Sequence, residues 1–151
     1  MDPPAVANAY RANHVGNLLE NFERLIGRPL LSPLDSPAST AQAIFNADFA
    51  VLSSGTALDP LFNYANQTAL SLFELDWNTL VELPAHESAK PVHQSTRAKL
   101  MRQIQETEFI EDYSGIRIPK GGRRFMIERA TVCNVIDGKG MIHDQAATFS
   151  H

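Results

Sequence analysis

A chain of 151 residues fits one domain, or one domain with an N-terminal extension, and at this size buries roughly 70% of its unfolded surface. Its 44% apolar and 20% charged residues exclude full-length disorder, its apolar runs are too short to span a bilayer, and a net charge of −4 excludes a global nucleic-acid footprint. A single cysteine, Cys133, excludes an intrachain disulfide and a cysteine-based zinc site, and the start of the chain carries no secretory pattern, so the expectation is a soluble, cytoplasmic protein without membrane or direct nucleic-acid partners.

Residues 5–30 carry a helical pattern. Val15, Leu18, Leu19, Phe22, Leu25 and Ile26 recur at spacings of three and four, with Gly27 as the stop and Pro29 beyond it. Residues 31–38 read as a linker on Pro33, Asp35 and Pro37. A short helix follows over 39–47, opening near Ser39 or Thr40. Phe49 to Ser54 reads as a strand ended by Gly55, and Leu61 to Ala65 as a second. Asn66 is placed to cap a helix over 67–74, and Asp76 to cap another holding Trp77, Leu80 and Val81. Pro84 ends that helix; 85–94 reads as polar loop, and Ser95 opens a longer helix to about residue 107.

The pattern then changes. Tyr113 to Ile118, Arg124 to Ile136 and Met141 to Ser150 read as strands. Pro119-Lys120-Gly121-Gly122 and Asp137-Gly138-Lys139-Gly140 join them as tight turns, which makes an antiparallel meander. Charge is uneven as well: residues 1–110 hold seven basic and twelve acidic residues, residues 111–151 six and five. Strands and helices in segregated blocks indicate α+β: a five-stranded antiparallel sheet with short helices on one face, the first two strands beside the last three. The N-terminal extension and linker run over 1–48 and the domain over 49–151.

Phe62 through Phe73 resembles the PAS pattern of a strand running into a capped helix. More specifically, residues 60–149 resemble the MEKHLA domain, a PAS-like module. The matching stretches are Leu61-Phe62-Asn63-Tyr64-Ala65-Asn66, Leu72-Phe73-Glu74 with Trp77, Leu83-Pro84 with Ser88-Ala89, Tyr113 to Ile118, Gly122 to Phe125, Gly138-Lys139-Gly140 and Gln145 to Phe149. The hexapeptide that names the family is absent, so the match is to the stand-alone microbial type. The resemblance implies a sensory or dimerisation-control module of the kind that closes a class of plant homeodomain leucine-zipper transcription factors. No homeodomain or zipper precedes it here.

The pocket expected between sheet and helices is lined by Tyr64, Leu72, Phe73, Leu80, Ile116, Phe125, Cys133, Asn134 and Gln145. Asn134 and Gln145 would orient a ligand if they point inward; a one-residue change of register flips them out. Cys133 is a redox or adduct thiol on the sharp reading and a small buried residue on the bland one. His86 and His93 are weak candidates for iron or zinc. Arg117, Lys120, Arg123 and Arg124 form either a phosphate-binding set or a solvated hairpin tip. Catalytic motifs are missing: Ser53-Ser54-Gly55 reads as a strand end, and no spacing assembles a serine, histidine and aspartate into a triad.

The expected function is a PAS-like sensory or ligand-binding module that signals through protein contact or a homodimer, with helix 12–26 as interface. The ligand would be a flavin, another small apolar molecule, or none. One alternative is a ligand-free interaction module. The other is a small cone-shaped enzyme using Asp112 or Glu128. Simple packing of helix 12–26 on its own sheet is the competing structural reading.

Overall fold

The computed structural model describes residues 2–32, 34–56, 61–84, 102–104, 106–117 and 125–150; for 112, 115–117 and 128 the description stops at the backbone. A 3-10 segment, Val6–Arg11, leads into α1, Ala12–Ile26. The single helix expected from residue 5 is broken here, because Ala9, Tyr10 and Arg11 have φ of 52°, 54° and 60°. Left-handed backbone costs a non-glycine residue roughly 1–2 kcal/mol, so side chains have to hold it. The Tyr10 ring lies 6.1 Å from Phe45, and the Arg11 guanidinium sits 5.9 Å over Trp77 while donating to the Asp2 carbonyl. At the other end α1 stops at Gly27 as expected: its φ is 89° and its N–H donates to the Glu23 carbonyl at 2.9 Å.

Helix α2, Pro37–Phe45, starts two residues before the expected position. Ser36 is the cap, its Oγ accepting from the Ser39 N–H at 3.1 Å, and Pro37 fills the first turn where no N–H is needed. Strands β1, Ala50–Gly55, and β2, Phe62–Ala65, precede α3, Gln67–Phe73, and α4, Trp77–Leu80. Residues 102–104 and 106–107 are helical, in the last part of the long helix expected there. Strand β3, Phe109–Arg117, begins four residues before the predicted start, because Phe109 and Ile110 continue the ladder with Cys133 and Val132. Strands β4, Phe125–Ile136, and β5, Ile142–Phe149, are joined by the Asp137–Gly140 turn. There Asp137 Oδ1 accepts from the N–H groups of Lys139 and Met141 at 2.8 and 3.0 Å. The expected turn at 119–122 and the loop at 85–94 lie outside the described residues.

The five strands form one antiparallel sheet in the order β2-β1-β5-β4-β3, with the first two strands beside the last three as predicted. Register assigns the faces. Val51, Ser53, Tyr64, Cys133, Val135 and Ala146 point to one side, where Val15 and Leu18 of α1 and Ala41 and Ile44 of α2 cover them. Ala50, Phe62, Ala65, Ala130 and Phe149 point to the other, against Ala69 and Phe73 of α3 and Leu80 of α4. The facing parity of β4 changes across Arg129, whose φ is 54°, so Phe125 and Ile127 share the α3 face with Ala130.

Asn66 ties these layers together. It is fully buried, and its side chain makes four hydrogen bonds. Oδ1 accepts from the N–H of Val51 and of Ala69, each at 3.1 Å, and Nδ2 donates to the carbonyls of Ile44 and Phe49 at 3.0 and 2.8 Å. The cap expected for α3 is therefore also the tie between α2 and β1. Asn66→Ala removes the side-chain partner of two buried backbone donors, Val51 and Ala69, and of the Phe49 carbonyl, while the Ile44 carbonyl keeps the Ala47 N–H; at about 1–3 kcal/mol per buried orphan the loss should reach about 3 kcal/mol or more. Urea unfolding of the variant measures it; a loss below about 1 kcal/mol would contradict this role.

Candidate functional site

The α3 face of the sheet is built in rows by strand register. One row holds Leu52, Ala147, Val132 and Ile110 on adjacent strands β1, β5, β4 and β3, all apolar. The next row holds Ser54, Gln145 and Asn134 on β1, β5 and β4, all polar. Above the apolar part, Phe73 of α3 stands between Phe62 and Phe125, with ring centroids 6.4 and 5.2 Å away. Leu80 is buried and Leu72 is partly buried in the same cluster. Small residues of the sheet (Ala50, Ala65 and Ala130) make its floor, and Ala69 of α3 faces them.

Two members of the polar row, Gln145 and Asn134, are joined to each other and to the chain beyond. Gln145 Nε2 donates to Asn134 Oδ1 at 3.4 Å, and Asn134 Nδ2 donates to the Ile104 carbonyl at 3.2 Å. The Asn134 backbone N–H donates to the Glu108 carbonyl at 2.8 Å. Asn134 is 1% exposed, whereas Gln145 is half-buried. Ser54, read from the sequence as a strand end, was the missing third member; only the register of β1 against β5 reveals it.

Of the nine expected pocket residues, Leu72, Phe73, Leu80 and Phe125 pack in one cluster on the α3 face, and Asn134 and Gln145 share that face of the sheet by register. Two do not. Tyr64 and Cys133 lie on the α1 face, because Tyr64 pairs with Ser53 and Cys133 with Ala146 in the opposite phase of the ladders. The Ile116 side chain lies outside the described residues, as do those of Arg117, Asp112 and Glu128. His86, His93, Lys120, Arg123 and Arg124 also lie outside them. Among the described residues no group of three His, Cys, Asp or Glu side chains can hold a metal ion.

The α1 face has its own polar devices, which the sequence pattern did not expose. Asn21, at a buried position of the α1 stripe, pairs edge-on with β4: Nδ2 donates to the Ile136 carbonyl and Oδ1 accepts from the Ile136 N–H, both at 3.1 Å. Near the start of α1, His14 Nε2 lies 2.9 Å from Ser53 Oγ, and Nδ1 lies 4.0 Å from Asp144 Oδ2. Serine, histidine and aspartate therefore do meet here. Their hydrogen bonds run the wrong way for a nucleophile. Asp144 takes a donor from Asn63 Nδ2 at 2.7 Å, so Asn63 turns its carbonyl to Ser53 and receives the hydroxyl proton at 2.5 Å. Ser53 is left to accept from His14 Nε2–H, and a general base must do the opposite. Ser53 is also only 1% exposed.

Burial alone pushes the Tyr64 hydroxyl well above its usual value, and that hydroxyl has no hydrogen-bond partner among the described residues. Burial likewise pushes the Cys133 thiol up to about 11, with Arg24 weakly opposing. Cys133 is thus a small buried residue under α1, and the bland reading of it holds.

The family model of the MEKHLA domain matches residues 12–151. No curated protein matches the sequence. Among solved structures, a PAS domain from Colwellia psychrerythraea aligns with a TM-score of 0.65 at 11% identity, over 75% of this chain and 94% of that one. A light-oxygen-voltage domain studied with a flavin analogue aligns at 0.60 and 17% identity, over 73% and 82%. The light-state dimer of the fungal blue-light photoreceptor Vivid aligns at 0.63 and 15% identity, over 91% and 93%. At these identities the likeness shows the fold, which is that of PAS domains.

The thiol supplies a test of the face assignment. The folded thiol ionises near 11 against about 9 in the open chain, so its contribution to stability is complete below pH 9 and is lost as pH rises towards 11. At pH 8, labelling of Cys133 by a disulfide reagent should follow the urea unfolding curve. Rapid stoichiometric labelling of the native chain would place the thiol elsewhere.

Proposed function

The chain belongs to the MEKHLA domain family, and from that premise we propose that it is a PAS-type sensory module holding a small, largely apolar, planar ligand against the α3 face of its sheet. The observation that supports this reading is the division of that face. Aromatic rings and alanines line one part, and the polar row Ser54, Gln145 and Asn134 follows beyond the apolar row of Leu52, Ala147 and Val132, a makeup that suits a small-molecule site. A flat heterocycle with alternating carbonyl and N–H groups along one edge suits such a row.

A flavin is one molecule of this class. Gln145 and Asn134 are the side chains that would face its polar edge, and Phe73, Phe125 and Leu80 those that would face its rings. A flavin would supply light absorption and electron transfer. Since the single cysteine stands on the opposite face, the ring would be held without a thiol bond. The light-oxygen-voltage domain and Vivid lend this ligand class its prior, and Vivid's light-state dimer does the same for output through a second copy.

In this proposal the output element is α1, and the signal is a population shift between tighter and looser docking of α1 on the sheet. Loosening α1 alters what a protein partner or a second copy meets. The groove of about 340 Å³ between α1 and residues 29–31 and 34–41, with Leu19, Leu30, Leu31 and Leu34 along it, changes with it. We do not propose an enzyme, and the direction of the Ser53 hydrogen bond supports that choice. No helix among the described residues is long and apolar enough to cross a membrane.

A second reading rests on a specific observation. Both polar ends of the Asn134 side chain are already bonded within the protein, which suits a filled core and a ligand-free interaction module. Absorption spectra and native mass spectrometry of the purified chain, followed by titration with riboflavin 5′-phosphate, separate the two. The sensor reading expects a co-purified small molecule or saturable flavin binding, weakened about tenfold in Gln145→Leu by loss of about 1.4 kcal/mol of hydrogen bonding. A chain that co-purifies with nothing and binds no flavin is the interaction module.

A further inference from the structure

The hydrogen-bond chain at the start of α1 has one titratable member in the neutral pH range. His14 donates through Nε2 to Ser53 Oγ on β1, Ser53 donates to Asn63 on β2, and Asn63 donates to Asp144 on β5. One histidine on a helix is thereby connected to three strands of the sheet it covers. The other face of the ring lies against Tyr64, 5.7 Å between centroids, and Tyr64 stands edge-on to Trp77 at 6.0 Å. The Arg11 guanidinium caps that stack from the preceding turn, 5.9 Å over Trp77.

We propose that His14 is a proton-operated latch: α1 docks on the sheet while the imidazole is neutral and loosens when it takes up a proton. The inference rests on the reading of α1 as the output element and names a signal that reaches it. The charges facing His14 decide the sign. Arg11, on the segment before α1, is a fixed cation and repels a second one. Asp144 on β5 attracts it, yet at 4.0 Å it makes no hydrogen bond to Nδ1, and its Oδ1 is already engaged by Asn63. Tyr64 on β2 stays neutral, while Ser53 on β1 and Asn63 on β2 carry no charge. Burial is the largest effect, and it disfavours the cation.

These effects together hold His14 below the ordinary histidine value of 6.5, with burial first, Asp144 opposing and Arg11 adding. The docked state therefore binds the proton more weakly than the free helix. Docking is fully stable above pH 6.5, weakens as pH falls through 6.5, and stops weakening below the docked value. A free helix with an ordinary histidine prefers the charged form over that window.

Amide hydrogen exchange of peptides covering 12–26 in the full chain, at pH 7.5 and 5.0 and corrected for intrinsic rates, tests the latch. Fluorescence of Trp77, the single tryptophan, is read in parallel. The wild-type chain should lose about threefold or more of its α1 protection at the lower pH. His14→Gln keeps an N–H donor for Ser53 without titrating, and its protection should not change. Asp144→Asn removes the attraction and holds the docked His14 lower still, so the loss of protection should begin at the same pH and become larger, continuing to lower pH. Wild-type protection that is flat or rises at pH 5.0, or an equal loss in His14→Gln, overturns the latch while leaving α1 docking intact. Protection of α1 no better than that of an exposed loop at pH 7.5 overturns the docking reading itself, and the latch with it.

Discussion

Four hydrogen bonds from one buried amide set the frame of this molecule. Asn66 stands where α2, β1, β2 and α3 converge, and its side chain gives each neighbouring backbone group a partner that no regular ladder could supply. Its own N–H donates to the Val51 carbonyl at 3.0 Å, so Val51 is gripped from both sides. This fixes where β1 begins relative to β2, and β1 in turn pairs with β5 over six positions. The facing of each central side chain follows from that register. A buried amide of this kind is favourable only when every donor and acceptor is used, and here every one is.

The sheet that results has two faces with different chemistry. One is closed by a helix from the same chain. Asn21 completes a backbone pair at Ile136, His14 reaches Ser53, and the apolar stripe of α1 fills the area between. Simple packing of this helix on its own sheet, one of the two readings open at the start, is what the structure shows. The ion pairs of Arg24 with Glu108 and Arg28 with Glu111 are solvent-exposed and add little to it. The other face ends in a polar row next to rings and alanines. Ser53 and Ser54 are consecutive residues that belong to opposite faces, so β1 carries a polar side chain to both sides of the sheet.

Much of this was legible in the sequence. Strand-rich segments, capping Asn66 and Asp76, the Asp-Gly turn and the stop at Gly27 each have a local physical cause, and local causes can be read from neighbours in the chain. The family match also lay in short ordered stretches. What could not be read depends on partners far apart. Tyr64 and Cys133 look like pocket residues until the ladders place them one position out of phase with Phe62 and Asn134. The left-handed turn at Ala9 to Arg11 is held in part by Phe45, Trp77 and the Asp2 carbonyl, which local pattern does not show. His14 and Asn21 did leave a trace, since they occupy the buried stripe with Leu18 and Leu25, where a polar residue requires a partner. That partner lies 39 residues away for His14 and 115 for Asn21, which no local pattern reveals.

The ligand reading rests on one geometric claim, that Asn134 faces α3 while its neighbour Cys133 faces α1. The direct measurement is a set of nuclear Overhauser contacts in the full-length chain. The account predicts contacts from the Asn134 side-chain amide protons to Gln145 and Ile104, and from the Cys133 β-protons to Val15 and Leu18. The reverse pattern, with Cys133 contacting Ile104 and Asn134 contacting α1, would mean a register displaced by one residue and would contradict the ligand face.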